Sequence, residues 1–354
     1  MKSTFARGIG ALVVALAAWL PFGASAQQPA ATQPAAAAQQ AAPAPKPAAG
    51  STAVPGWNNP PSWNDVSTQQ QYASVPGRET NVLIQGAGHE WRKIRNGPVT
   101  FYGGIILLIP LAVLVLFYLA KGPIKVHDPL TGRLIERFSS VERVAHWTMG
   151  LSFVVLALTG IVILFGKYIL LPIVGHAAFA GLTVLSKNLH NFVGPVFFVC
   201  SILMFILYVR DNLPQKGDLG WFAKFGGMIS GEHVPSHKFN AGEKAWFWLG
   251  TGVLGLVVGV SGLVLNFPNF DQTRATMQIA NIVHLAGALV FIAMSLFHMY
   301  MGTIGMGGAL DAMRTGYVDE TWAKEHHEYW YNDVKAGKIP AGDEAPRPIR
   351  HEPA

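Results

Sequence analysis

The sequence is poor in cysteine and in charge. Cys200 is its only cysteine in 354 residues. That excludes an internal disulfide, a cysteine-ligated iron–sulfur cluster and thioether attachment of a haem. Charged residues make up 13% of the chain, against roughly 25% in soluble domains, while hydrophobic residues reach 51%, a balance that belongs to membrane proteins. The formal net charge is +6. Its basic residues stand in short loops between apolar runs instead of forming one soluble patch, which argues against a nucleic-acid surface and for membrane topology.

The N-terminus has a basic start at Lys2 and Arg7, an apolar stretch from Ile9 to Leu20 and a small-residue end at Ala24-Ser25-Ala26. Residues 1–26 read as a cleavable signal peptide, with an uncleaved anchor helix as the alternative. Residues 27–56 are mostly Ala, Pro and Gln and cannot bury enough apolar surface to offset their ordering entropy, so a disordered tether is expected. Residues 57–99 are polar with scattered aromatics (Trp57, Trp63, Tyr72, Trp91), an extracytoplasmic segment suited to packing on a partner or on the membrane face. Five apolar runs follow, at 100–120, 143–166, 189–209, 245–267 and 281–303, each near the ~20 residues needed to span the hydrocarbon core. The loops at 121–140 and 210–244 are rich in Lys and Arg, and the other two are not. The positive-inside rule therefore puts those two loops and the tail, 304–354, in the cytoplasm and the mature N-terminus outside. Arg92, Lys93 and Arg95 before the first run oppose that assignment and are outweighed by the later loops.

Of twelve histidines, four lie within or at the ends of runs: His146, His190, His284 and His298. Ionisable groups at such places are rare and usually functional. His284 and His298 share the last run, fourteen apart. Fourteen residues at ~100° each fall within ~40° of whole turns, so both face one side, about 21 Å apart along the axis. One sits near each membrane surface. His146 opens the second run level with His298, and His190 opens the third level with His284, giving two pairs at two depths. Bis-histidine ligation of b-type haem needs this layout, with no open position on the iron and hence electron transfer alone. One metal ion cannot be shared by ligands 21 Å apart. Arg143 and Lys187 each stand three before a histidine, one turn nearer water, where each could pair with a haem propionate. Gly150, Gly194 and Gly302 stand four after a histidine, and Gly287 three after, where glycine would let a flat ring lie close to the helix. His89, His127, His176, His233, His237 and His351 are expected to be solvated, and His326-His327 structural or interfacial.

The phrases Glu142-Arg143-Val144-Ala145-His146-Trp147, Leu189-His190, Lys238-Phe239-Asn240-Ala241-Gly242-Glu243-Lys244, His298-Met299-Tyr300-Met301 and Trp322-Ala323-Lys324-Glu325-His326-His327 resemble the cytochrome b (gamma) subunits of respiratory formate dehydrogenases. That family shares its plan with the cytochrome b subunits of nickel–iron hydrogenases and thiosulfate reductases. The resemblance implies an all-α membrane protein with a four-helix transmembrane di-haem bundle over 121–303; the run at 100–120 departs from the best-known relatives, which have four spans, and is expected as an additional N-terminal helix outside it. It implies two b-type haems, one between His190 and His284 on the periplasmic side and one between His146 and His298 on the cytoplasmic side. It also implies a quinone site with Asn240 and His298 as contacts. An amide at the cytoplasmic surface can hydrogen-bond a quinone carbonyl, although Asn240 is equally placed to cap the helix that follows. The implied partners are an iron–sulfur (beta) subunit and a molybdenum or tungsten (alpha) subunit on which formate is oxidised, in the bacterial inner membrane. The same bundle serving a hydrogenase or thiosulfate reductase is the nearest alternative. A non-redox membrane anchor or proton-relay transporter is the alternative of another class.

Overall fold

The computed structural model describes residues 86–270 and 272–340. The proposed signal peptide, the tether, most of the 57–99 segment and His351 lie outside the described residues. Among the described residues, five helices are long and apolar enough to cross a membrane: Gly88–Lys121, Ser140–Ile169, Leu171–Tyr208, Ala241–Asn266 and Arg274–Gly305. The fold is all-α, apart from one two-stranded sheet among the described residues.

Helix α1 (Gly86–Ile94) passes through a π turn (Arg95–Val99) into α2 (Thr100–Lys121). Gly103 sits where an added Cβ would come within 2.7 Å of Leu289 Cδ1, so its missing side chain lets α2 approach the last span. Strand β1 (Leu134–Glu136) precedes α3 (Ser140–Ile169), which Ser139 starts with a capping box: its hydroxyl accepts from the Glu142 N–H while the Glu142 carboxylate accepts from the Ser139 N–H. Helix α4 (Leu171–Tyr208) breaks at Gly175, whose φ of 76° lies in the left-handed region. The apolar run read as a third span at 189–209 is thus only the second half of a longer helix. From His176 onward α4 is about 50 Å long at 1.5 Å per residue, well over the ~30 Å hydrocarbon core.

The fourth span is α6 (Ala241–Trp246), a π segment (Phe247–Leu254) and α7 (Gly255–Asn266). It follows a short helix, α5 (Asp218–Ala223), in the intervening loop. The fifth is α8 (Arg274–Tyr300), capped by Thr273 and ending in a π turn (Met301–Gly305). Helices α3, α4, α7 and α8 pack as a four-helix bundle, and α2 packs on α8.

The segment after α8, expected only as a cytoplasmic tail, is folded through residue 335. It holds α9 (Ala309–Thr315), strand β2 (Tyr317–Asp319), α10 (Glu320–His326) and α11 (Glu328–Lys335). Strand β2 pairs antiparallel with β1, Leu134 opposite Asp319. Ser236 Oγ donates to the His326 carbonyl at 2.8 Å, and Lys121 Nζ donates to the Ile229 carbonyl at 3.2 Å. The loop after α2, the loop before α6 and the tail therefore form one cap at the end of the bundle that carries His146 and His298.

Two groups tie this cap to pH. His327 is fully buried, its Nδ1 donating to the His237 carbonyl at 2.7 Å. Burial, then the charge of Arg137, holds its pKa well below the ordinary value. For Glu325, burial pushes the pKa up, but the Asp128 and His127 N–H groups it accepts from outweigh burial and hold it below the ordinary value. A histidine kept neutral when folded costs stability once pH falls below its unfolded pKa of about 6.5; the carboxylate's contribution is lost lower still, as pH falls through its folded pKa. Hydrogen exchange over 317–335 is expected to accelerate between neutral pH and about pH 5, histidine first. Equal protection at both values would remove these groups as the cause.

Candidate cofactor site: two histidine pairs

The two expected pairs are brought together. The ring centroids of His146 and His298 are 6.0 Å apart, and those of His190 and His284 are also 6.0 Å apart. A metal–imidazole bond of about 2 Å on each side, added to the two ring radii, gives nearly that spacing, so each pair fits a metal gripped from both faces. Fourteen residues of continuous α8 put the pairs about 21 Å apart along the axis.

The ring nitrogens are sorted by their neighbours. His284 Nδ1 lies 3.0 Å from the Val258 carbonyl. A carbonyl only accepts, so the proton is on Nδ1 and the Nε2 lone pair is free. Thr159 donates its hydroxyl to the Val155 carbonyl, which leaves its oxygen to accept from His190 Nδ1 at 2.8 Å. Such bonds fix the tautomer and orientation of metal-ligating histidine. At the other pair, His146 Nδ1 is buried without a partner, and Trp246 stacks on His298 with centroids 5.0 Å apart and planes 16° apart. A Cβ built at Gly150, Gly194 or Gly302 meets nothing within 4 Å, so the space expected beside those helices exists. Gly287 behaves differently: it faces Val257 and Val258, and serves helix packing. Gly160 and Gly262, unforeseen, are the glycines against which His190 and His284 lie.

Between the pairs, Phe153, Phe197 and Phe291 form a layer, with centroids 4.8 to 6.1 Å apart. Each stands seven residues after a histidine (146, 190 and 284), two turns deeper on the same face. That spacing is in the sequence and could have revealed the layer. Phe197 and Phe291 are buried, so the middle of the bundle carries an apolar layer.

Asn240 caps α6. Its Oδ1 accepts from the Glu243 N–H at 2.9 Å, while Glu243 accepts from the Asn240 N–H at 2.8 Å. The cap uses the amide oxygen and leaves the amide nitrogen for another acceptor. Arg143 is engaged by the cap, Nη1 donating to the Arg314 carbonyl at 2.9 Å and Nη2 to Ser140. It lines a surface cavity of about 460 Å³ with Trp147 and Arg314. Lys187 is exposed. His127 and His233 pair with Glu325 and Glu328, and His237 lies against Tyr329, so these three are less free than expected.

Intramembrane histidines paired at two depths of a four-helix bundle, with Nδ1 held by second-layer acceptors at one pair, define a cytochrome b type of membrane protein. The prokaryotic cytochrome b561 family model matches residues 137–316, just over half the chain, and the chain belongs to that family. It is 30% identical to the nitrate-inducible formate dehydrogenase cytochrome b556(Fdn) subunit of Escherichia coli K12 over 208 residues, which is 57% of this chain and 93% of that protein. The formate dehydrogenase cytochrome b556(fdo) subunit of the same strain is 31% identical over 205 residues, again 57% and 93%. The formate dehydrogenase cytochrome b556 subunit of Haemophilus influenzae is 27% identical over 211 residues, covering 58% of this chain and 85% of its own.

Proposed function

We propose that this chain is the membrane cytochrome b subunit of a formate dehydrogenase complex, carrying electrons from an iron–sulfur subunit across the bilayer to quinone. The observation that carries this reading is the two histidine pairs, each 6.0 Å between centroids, fourteen residues apart along α8. Likeness to formate dehydrogenase cytochrome subunits supports the choice of complex.

His190 with His284, and His146 with His298, would hold two b-type haems. When bound, these supply one-electron exchange without an open iron position. Thr159 and the Val258 carbonyl keep Nε2 of their histidines unprotonated and aimed. The Phe153–Phe197–Phe291 layer excludes water between the two sites, so electrons cross without an accompanying proton path. Near His298, the free amide nitrogen of Asn240 would donate to a quinone carbonyl. The lysine- and arginine-rich cap favours a cytoplasmic position for that end and a periplasmic one, in the inner membrane, for His190–His284; a molybdenum or tungsten subunit would stand beyond the iron–sulfur donor. Each electron moved inward against 100 mV costs about 2.3 kcal/mol, which the redox drop from formate must exceed.

A reduced-minus-oxidised spectrum of the purified chain, with its haem-to-protein ratio, tests this directly. Two b-type haems per chain are expected. A colourless folded chain would sink the redox reading, and a single haem would sink the two-site wire.

The second-layer bonds predict an asymmetry. Thr159→Val removes the hydroxyl acceptor of His190 Nδ1 and is expected to weaken haem retention at that site about 10–100-fold. Ser261→Ala leaves His284 its bond to Val258 and should change retention little. Haem loss rates in detergent check both.

A further inference from the structure

The loop between α4 and α6 carries apolar side chains that neither the bundle nor the cap covers. Leu219 is 86% exposed, Phe225 61% and Ile229 63%, and Phe222 is exposed as well. The segment is nevertheless pinned at three places. Asp218 pairs with the buried Lys244 at 2.9 Å, in the first helical turns of the fourth span. Trp221 lies over Gly242, where an added Cβ would meet its ring at 2.8 Å. Lys121, the last residue of α2, donates to the Ile229 carbonyl at 3.2 Å. Those anchors are the ends of two spans on one membrane face, so residues 218–229 lie flat at the level where helices leave the hydrocarbon.

The backbone is built to turn the side chains outward. Phe225 has a φ of 49°, uncommon for a residue with a side chain, and Gly226, Gly227 and Gly231 follow with φ of 60°, 75° and 77°. Strain of this kind costs about 1–3 kcal/mol and persists only where the surroundings impose it. A Lys224–Glu232 pair closes the turn. Lys216 and Lys121 stand exposed at the margins. Exposed Leu116 and Leu119 on α2 and Leu249 in the fourth span continue the apolar surface at the same level.

We propose that Leu219, Phe222, Phe225 and Ile229 enter the acyl–headgroup boundary of the leaflet beside the His146–His298 end, as an interfacial anchor with lysines facing anionic headgroups. The occupant is lipid because the apolar side chains sit at span-end depth, continue the lipid-facing surface and are flanked by cations, the pattern of segments that lie in the membrane interface. This goes beyond the electron-transfer reading and does not depend on it.

The test uses the full chain in nanodiscs containing anionic lipid, with spin labels at L219C, F225C and I229C in turn, and at K216C for comparison. Cys200 is buried, and the unsubstituted chain, carried through labelling, gives the background. Collision with oxygen is expected to exceed collision with a water-soluble nickel chelate several-fold at 219, 225 and 229, with the order reversed at 216. Chelate access at all four positions would put the segment in water and overturn the proposal. Exclusion of both reagents at 219, 225 and 229 would mean that protein covers it, and would overturn it equally. Three independent positions guard against one label disturbing the fold. No haem or quinone is needed for the readout, so its failure would leave the cytochrome reading standing.

Discussion

On the proposed reading, a His190→Ala chain is expected to hold one haem where the unsubstituted chain would hold two, and to lose quinone reduction by formate to the background of the assay. Formate oxidation with an artificial acceptor should persist, because in the proposed complex that chemistry would lie on another subunit. The expectation follows from geometry: with centroids 6.0 Å apart, His284 alone supplies one axial bond. Gly160 and Gly262 are what His190 and His284 lie against, and neither has a side chain to ligate. His298→Ala gives the mirror result. It should empty the other site and abolish quinone reduction, while formate still reduces the site between His190 and His284. The two variants together separate a wire from two unrelated sites. If quinone reduction by formate survives in the His190→Ala complex, electrons do not pass through both pairs. The remaining haem's spectrum in each variant reports that the bundle has folded.

The histidine pairs were legible because membrane thickness fixes depth and helical pitch fixes face. Four positions, with the loops between them, leave one consistent pairing. Ser139 and Glu142 also spell a capping box, a local signal that sets the start of α3 three residues before the apolar run read at 143. Other features depend on contacts between distant residues, which no local pattern announces. Leu134–Glu136 is three residues of strand that exist only because Tyr317–Asp319 arrives beside them. The first half of α4 was missed because Lys187 and Asn188 looked like the edge of a span, whereas the helix begins again just after the Gly175 break and passes through them. Arg143 read as a propionate partner from its place one turn before His146. In the structure its Nη1 donates to the Arg314 carbonyl in the last turn of α9, 171 positions away, a contact that its place in the sequence does not announce. At Asn240 the cap is what the structure displays: its oxygen serves the capping box that Asn240 and Glu243 encode.

The cap over the His146–His298 pair turns on one side chain, and Arg137→Met is expected to open it. Arg137 is buried, and its Nη2 donates to the Lys238 carbonyl at 2.7 Å and to Glu243 at 3.1 Å. The guanidinium also lies 5.0 Å from the ring centre of Phe138, 5.7 Å from Phe239 and 5.2 Å from Trp322. It thus joins the loop before α3, the loop before α6 and the tail. Methionine fills similar volume but leaves the Lys238 carbonyl without that donor and Glu243 without its cation. Breaking a buried pair by removing one partner costs about 3–5 kcal/mol. Glu243 is 37% exposed and water takes over part of its solvation, so a loss of about 2–3 kcal/mol is expected here. The damage should spread in a defined direction. Glu243 also accepts from the Asn240 N–H, so a displaced Glu243 loosens the residue assigned to quinone and raises KM for quinone before haem content changes. Hydrogen exchange should rise over 317–335 and over 238–246 together. A double variant, Arg137→Met with Glu243→Gln, removes the orphaned charge and should be more stable than Arg137→Met alone, a non-additivity that marks direct coupling. If the double variant is the less stable, or the tail stays protected in Arg137→Met, then Arg137 does not hold the cap together and the three segments are joined by their apolar contacts alone.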